Sequence, residues 1–135
     1  MYIVDASVWV ARFWTRDPRH TEARSWVFET LSRGEEILAP AILLAEVAGP
    51  LGRRTGEIEL GLTAARQLGN LPGLRLLDID EQMARLSGEL AARLRLKGAD
   101  AVYVAAAMIE NAPLVTLDRE QNDRASRMVT AFTPT

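Results

Sequence analysis

The chain has no cysteine, one histidine and one lysine among its 135 residues. Without cysteine there is no disulfide, no thiolate metal site and no thiol nucleophile. A single histidine, His20, excludes a histidine-based zinc site and a Ser-His-Asp triad. No apolar run is long enough to span a bilayer. The opening lacks a basic stretch and its apolar run breaks at Asp5, so it does not read as a signal peptide, and a cytoplasmic protein is expected. The net charge of −2 gives no global attraction to nucleic acid or anionic membrane. There is no repeat, low-complexity tract or linker. The Gly-Pro spots in "AGPLG" and "NLPGL" are too short to divide the chain, so one domain over 1–135 is expected.

What is left is oxygen chemistry: Asp, Glu, Ser, Thr and water. The basic charge is nearly all arginine, Lys97 being the sole lysine. Arginine is the better bidentate partner for phosphate.

Hydrophobic patterning predicts strands over 2–4, 36–40, 74–79, 113–118 and 128–132. Helices are predicted over 7–14, 21–33, 41–54, 57–70, 81–96, 99–111 and 119–126. Pro50 should kink or interrupt the third helix. The helix over 99–111 is apolar on almost every face and should be buried. Short strands without strict alternation, separated by helices, describe an α/β domain with a mostly parallel sheet. In such sheets ligands bind at the carboxyl ends of the strands.

Four acids fit that place. Asp5 ends the first strand and Asp118 the fourth. Asp100 sits in the first turn of the apolar helix. Glu46 lies beside the stripe of Leu43, Leu44, Val47 and Leu51. Each also has a plain structural role. Asp5 suits a helix cap, and "DREQ" at 118–121 resembles a capping box with Gln121 reaching back. Asp100 is favoured by the helix dipole, and Glu46 suits an ion pair with Arg53 or Arg54. A cap and a ligand are compatible roles. Together, several close carboxylates repel unless protons or a cation compensate them. With no histidine or cysteine, such a cluster points to Mg²⁺ or Mn²⁺ and phosphodiester chemistry.

Other residues read more plainly. His20, after a proline in a polar stretch, is expected at the surface. Thr116 lies two residues from Asp118, which puts both on one face of their strand. It reads as a locally bonded strand residue, with support of Asp118 as its further role. Trp9, Phe13, Trp14 and Trp26 read as core. They are also more than a small core needs on two helices, which suggests an isologous homodimer over part of that surface. The arginines at 12, 16 and 19, and the run Arg93, Arg95, Lys97, read as solvated faces. If they rim the acidic site they would hold an RNA backbone.

The motifs in order resemble the PIN-domain ribonucleases, and among them the VapC-type toxins of toxin–antitoxin pairs. "MYIVDASVWV" is similar to the family's opening strand, first acid and adjacent hydroxyl residue. "APAILLAEVAGPL" resembles the segment of the second acid, here Glu46. "GADAVYVAAAM" resembles the third-acid helix, here Asp100, and "PLVTLDREQ" the last motif, here Asp118. The resemblance covers essentially the whole chain. It implies a three-layer α/β/α sandwich with a mostly parallel central sheet and a catalytic set of Asp5, Glu46, Asp100 and Asp118. It also implies Mg²⁺ or Mn²⁺ on Asp5, Asp100 and Asp118, RNA cleavage, a homodimer and a small antitoxin partner. It favours Ser7 as holder of a metal-bound water, over a cap. Asp123 stands where some relatives carry a further acid. The Gly49-Pro50 pair is a departure that should bend the helix carrying Glu46.

Two other classes fit less well. A PIN-like module that binds RNA or protein without cutting need not keep all four acids. A phospho-receiver needs an acid pair after the first strand and a lysine after a late one. Here Ala6 follows Asp5, and Lys97 lies at a helix end. A haloacid-dehalogenase-type phosphatase needs D-x-D, where this chain has D-A-S.

Overall fold

The structure, a computed structural model, describes residues 1–135. Five strands form one sheet: β1 (Tyr2–Val4), β2 (Ile37–Pro40), β3 (Leu74–Leu77), β4 (Leu114–Val115) and β5 (Ala131–Phe132). Seven helices flank it: α1 (Ala6–Phe13), α2 (His20–Ser32), α3 (Leu43–Thr55), α4 (Ile58–Gly69), α5 (Glu81–Leu94), α6 (Gly98–Glu110) and α7 (Arg119–Ala125). The fold is an α/β/α sandwich, and its sheet is parallel throughout rather than mostly so.

The strand order is β3-β2-β1-β4-β5. The chain therefore builds outward from β1 to β3, returns, and builds outward again through β4 and β5. That reversal places a topological switch point between the carboxyl ends of β1 and β4, where open parallel sheets bind ligands. Val4 pairs with Val115, so the residues just beyond them, Asp5 and Thr116, emerge side by side.

The strands are short and apolar because helices cover both faces; all four residues of β2 are buried. α6 packs on β1, β2 and β4 and buries Ala101, Tyr103 and the run Val104 to Ala107, as its composition requires. α5 packs against α6, and α3 joins α1 to α4. At the α3–α4 crossing Gly61 is buried, and a Cβ there would stand 2.7 Å from the Ala48 carbonyl oxygen. Only glycine permits that approach.

Several expectations are corrected. The predicted strands 74–79, 113–118 and 128–132 end or begin inside their apolar runs, because only the residues with a neighbouring strand complete the ladder. α3 runs unbroken through Pro50. The proline removes one donor, so the Glu46 carbonyl loses its partner four residues on, but the flanking turns hold the helix. Of the aromatic residues on the first two helices, Phe28 alone stands out to solvent, at 70%. Trp9 is fully buried, and Phe13, Trp14 and Trp26 pack against the core. Trp26 meets Tyr2 and Phe132 edge-to-face at 5.2 and 6.1 Å. Arg12 is no solvated residue either: its guanidinium lies over Trp9 and Phe13 at 5.7 and 5.2 Å. His20 is half-buried, its Nδ1 2.7 Å from the Ala11 carbonyl oxygen, where it ties α2 to α1.

Candidate active site

Asp5 is the N-cap of α1, and its side chain does more than cap. Oδ2 accepts the Ser7 N–H at 3.1 Å, the Ser7 hydroxyl at 2.6 Å and the Thr116 hydroxyl at 3.0 Å. Burial pushes the Asp5 carboxyl up from its ordinary value, and these hydrogen bonds oppose the shift. The Ser7 hydroxyl is used twice, donating to Asp5 and accepting the Leu117 N–H at 2.9 Å. It therefore locks the loop after β4 onto the end of β1.

That loop is compact. Thr116 is fully buried whereas Asp118 is exposed, so the one-face rule of a strand does not extend past Val115. Thr116 Oγ1 accepts the Asp118 N–H at 3.0 Å. Asp118 caps α7 by accepting the Gln121 N–H at 3.0 Å. The reciprocal half of the expected capping box is missing. Gln121 does not reach back; it is buried, with Oε1 3.0 Å from Thr116 Oγ1 and Nε2 3.4 Å from the Asp100 carbonyl oxygen. It thus stitches the Asp118 loop to the start of α6.

Asp100 is half-buried and its carboxyl is pushed up to about 6. Burial is the main cause, and the charges of Asp5, Asp118 and Glu46 add to it against a weaker pull from Lys97. Glu46 is raised too, by burial first and by the Asp5 charge, and it pairs with neither Arg53 nor Arg54. Tyr103, one helical turn after Asp100, turns its hydroxyl toward Glu46. That hydroxyl completes no hydrogen bond, and its own ionisation is pushed up by burial and by the Asp5 and Glu46 charges.

Asp5, Glu46, Asp100 and Asp118 all line one cleft of about 550 Å³, together with Ser7. No three of the carboxylates close into a compact ligand set. The donors are all oxygen, and the carboxylate charge that adds to the effect of burial on Asp100 is what a hard divalent cation relieves, so the wall suits such an ion. Asp123 is exposed and does not line the cleft.

The family model of the PIN domain matches residues 2–126. This chain belongs to the PIN-domain family. No curated protein matches it. Among solved structures, it is similar to VapC20 of Mycobacterium tuberculosis, described as a sarcin–ricin loop-cleaving toxin. The TM-score is 0.79 at 20% identity, over 96% of this chain and 97% of that one. It is similar to VapBC2 of Rickettsia felis bound to a promoter DNA fragment, with TM-score 0.71 and 18% identity over 99% and 98% of the two chains. It is also similar to FitAcB of Neisseria gonorrhoeae, with TM-score 0.72 and 20% identity over 98% and 96%. At these identities the likeness is one of fold.

Of the basic residues the sequence offered as a rim, only some reach the PIN-domain cleft. Arg19 and Arg54 line it with Lys97, whereas Arg12 and Arg16 do not. Arg19 is held there by the Pro134 carbonyl oxygen at 3.0 Å and by Glu22 at 3.8 Å. Tyr103 had a signal in its i+3 spacing from Asp100 on one helix face. Gln121 had none beyond its place in the capping box.

Proposed function

We propose that this PIN domain is a metal-dependent endoribonuclease and the toxin of a toxin–antitoxin pair. The observation that carries the reading is the gathering of Asp5, Glu46, Asp100 and Asp118 on one cleft; burial first, and the charges of the other three carboxylates added to it, push the Asp100 carboxyl up to about 6. A structural helix cap needs no such neighbours. Asp5, Asp100 and Asp118 would hold Mg²⁺ or Mn²⁺, with Glu46 facing them. When bound, the ion lowers the pKa of a water and polarises a phosphoryl oxygen.

The chain's own residues supply the rest. Ser7 and Thr116 donate to Asp5 Oδ2, which favours the charged form of that buried carboxyl against the effect of burial and fixes its direction. Glu46 is half-buried on the same cleft, its carboxyl raised by burial first and then by the Asp5 charge. Arg19, Arg54 and Lys97 are the cations that reach phosphate oxygens in the same cleft. RNA as substrate is supported by the similarity to VapC20, a sarcin–ricin loop-cleaving toxin. A small antitoxin partner is supported by the likeness to the VapBC2 and FitAcB structures. A homodimer belongs to the same reading. Ile58 and Leu62, one turn apart on α4, stand exposed at 73% and 47% and offer an apolar face for it. No helix is long and apolar enough to cross a membrane, and the proposed site of action is the cytoplasm.

The test is cleavage of single-stranded RNA by purified protein in Mg²⁺ or Mn²⁺. Activity should vanish in a chelator and in Asp100→Asn. An Asp100→Asn protein that cuts at the parental rate, free of contaminating nuclease, would end the assignment.

A further inference from the structure

A second depression has a charged lining of arginine alone: Arg93, Arg95, Arg124 and Arg127, around about 300 Å³. Four like charges in one hollow repel, and a protein of net charge −2 has no general excess of positive charge to place there. Two are compensated, Arg93 by Glu89 at 3.0 Å and Arg124 by Glu120 at 2.6 Å. Arg95 and Arg127 have no acidic partner.

The backbone makes Arg95 more telling. It caps α5 in the left-handed region, at φ 55° and ψ 42°, the position where helices most often use glycine. The chain accepts a strained arginine there. Its carbonyl oxygen receives the Arg124 guanidinium, which fixes α7 against the end of α5.

Both walls of the hollow are close along the chain to residues of the acidic cleft. Arg95 is two residues from Lys97, which lines the cleft, and five from Asp100. Arg124 follows Asp118 by six residues, about 9 Å along α7 at 1.5 Å per residue. That span is about three nucleotides of a stacked strand.

We infer that this arginine hollow binds backbone phosphates of the RNA strand on one side of the scissile bond, continuing the path from Lys97. The inference rests on the nuclease reading and names where its substrate runs. Contacts of this kind position a strand without reading its bases. The hollow therefore favours substrates long enough to reach it.

The experiment compares the parent with Arg95→Gly/Arg127→Gln. The glycine removes a charge and relieves the backbone at once, so the variant keeps its fold, which circular dichroism and urea unfolding verify. Two readouts are taken. One is binding of a fluorescent single-stranded RNA of about a dozen nucleotides, without divalent metal, across a salt series. The other is kcat/KM in Mn²⁺ on that RNA and on a dinucleotide. The double variant should bind the longer RNA about tenfold more weakly, and the slope of log K against log salt should fall by about 1.4, near 0.7 per lost phosphate contact. Its kcat/KM on the longer RNA should drop, and on the dinucleotide should match the parent. An unchanged salt slope overturns the inference while leaving the nuclease reading intact. So does an unchanged slope with weakened binding of the co-expressed antitoxin, which would make the hollow a protein contact. A parent that cuts neither RNA overturns the nuclease reading instead, and the binding slopes then decide the hollow alone.

Discussion

The Thr116 hydroxyl lies 3.0 Å from Asp5 Oδ2, joining the ends of two adjacent strands whose residues are 111 apart in sequence. The same oxygen is 3.0 Å from Gln121 Oε1 and accepts the Asp118 N–H. A hydroxyl has one proton, so Asp5 and Gln121 compete for it. The carboxylate wins whenever Asp5 is ionised, because a charged acceptor binds more strongly.

Thr116→Val keeps the shape and removes this junction. It leaves the Asp118 N–H unpartnered and takes one donor from a buried carboxylate. A loss of about 1–3 kcal/mol is expected, with the Asp5 carboxyl driven higher still. Urea unfolding gives the first quantity and carbon-detected NMR titration the second. An unchanged midpoint would show that water replaces the hydroxyl without cost.

Metal-free protein should gain stability from Asp100 as pH falls. The folded carboxyl titrates at about 6 and the unfolded one near 3.8. Between those values the folded state binds more protons, so this contribution declines as pH rises and the full penalty is present above about 6. Asp5 and Glu46, also raised, act in the same direction. Asp100→Asn removes its share. At pH 7 without metal it should exceed the parent by on the order of 1–2 kcal/mol, after allowance for part exposure, and the gap should close toward pH 4. If Asp100 were only a helix-dipole acid, the variant would be equal or less stable at pH 7.

Adding Mg²⁺ or Mn²⁺ should reverse that ranking. A ligand that binds only the folded state stabilises it by mass action. The parent's melting temperature should rise with metal concentration, and that of Asp100→Asn should stay nearly flat. Equal shifts in both proteins would place the ion elsewhere.

Gly61→Ala sets two effects against each other. Alanine favours the helix by about 1 kcal/mol. Its Cβ would meet the Ala48 carbonyl oxygen at 2.7 Å, which forces α3 and α4 apart, at a cost of about 1–3 kcal/mol. The clash is with backbone and cannot be relieved by a rotamer. A net loss of roughly 1–2 kcal/mol in denaturant unfolding is expected. Ala48 lies two residues from Glu46, so cleavage should slow as well. A stabilised variant would show that the crossing relaxes freely.

Most of the architecture was legible because it follows from local pattern. The acids at 5, 46, 100 and 118 mark element boundaries, and the parallel sheet gathers those boundaries on one edge. What stayed hidden depends on contacts between distant segments. Whether Leu117 belongs to a strand is decided by what lies beside it, and Ser7, from the other end of the chain, takes its N–H. Gln121 obeys local capping chemistry in sequence, but burial between Thr116 and Asp100 gives it better partners. Pro50 breaks isolated helices, yet here the burial of Val47 and Leu51 outweighs one lost hydrogen bond. The need for glycine at 61 exists only once α3 and α4 cross. Arg19 reaches the cleft because the far end of the chain holds it there.

That last contact bears on how the protein can be handled. The Pro134 carbonyl anchors Arg19, and Thr133 donates to the Thr116 carbonyl oxygen at 3.0 Å. Residues 133 and 134 are thus part of the cleft's scaffolding. Met1 precedes β1, whose other end carries Asp5, and its ammonium group sits 3.6 Å from Glu35, at the opposite edge of the sheet. An affinity tag or fluorescent fusion placed after Thr135 would crowd the acids, whereas one placed before Met1 would leave them open.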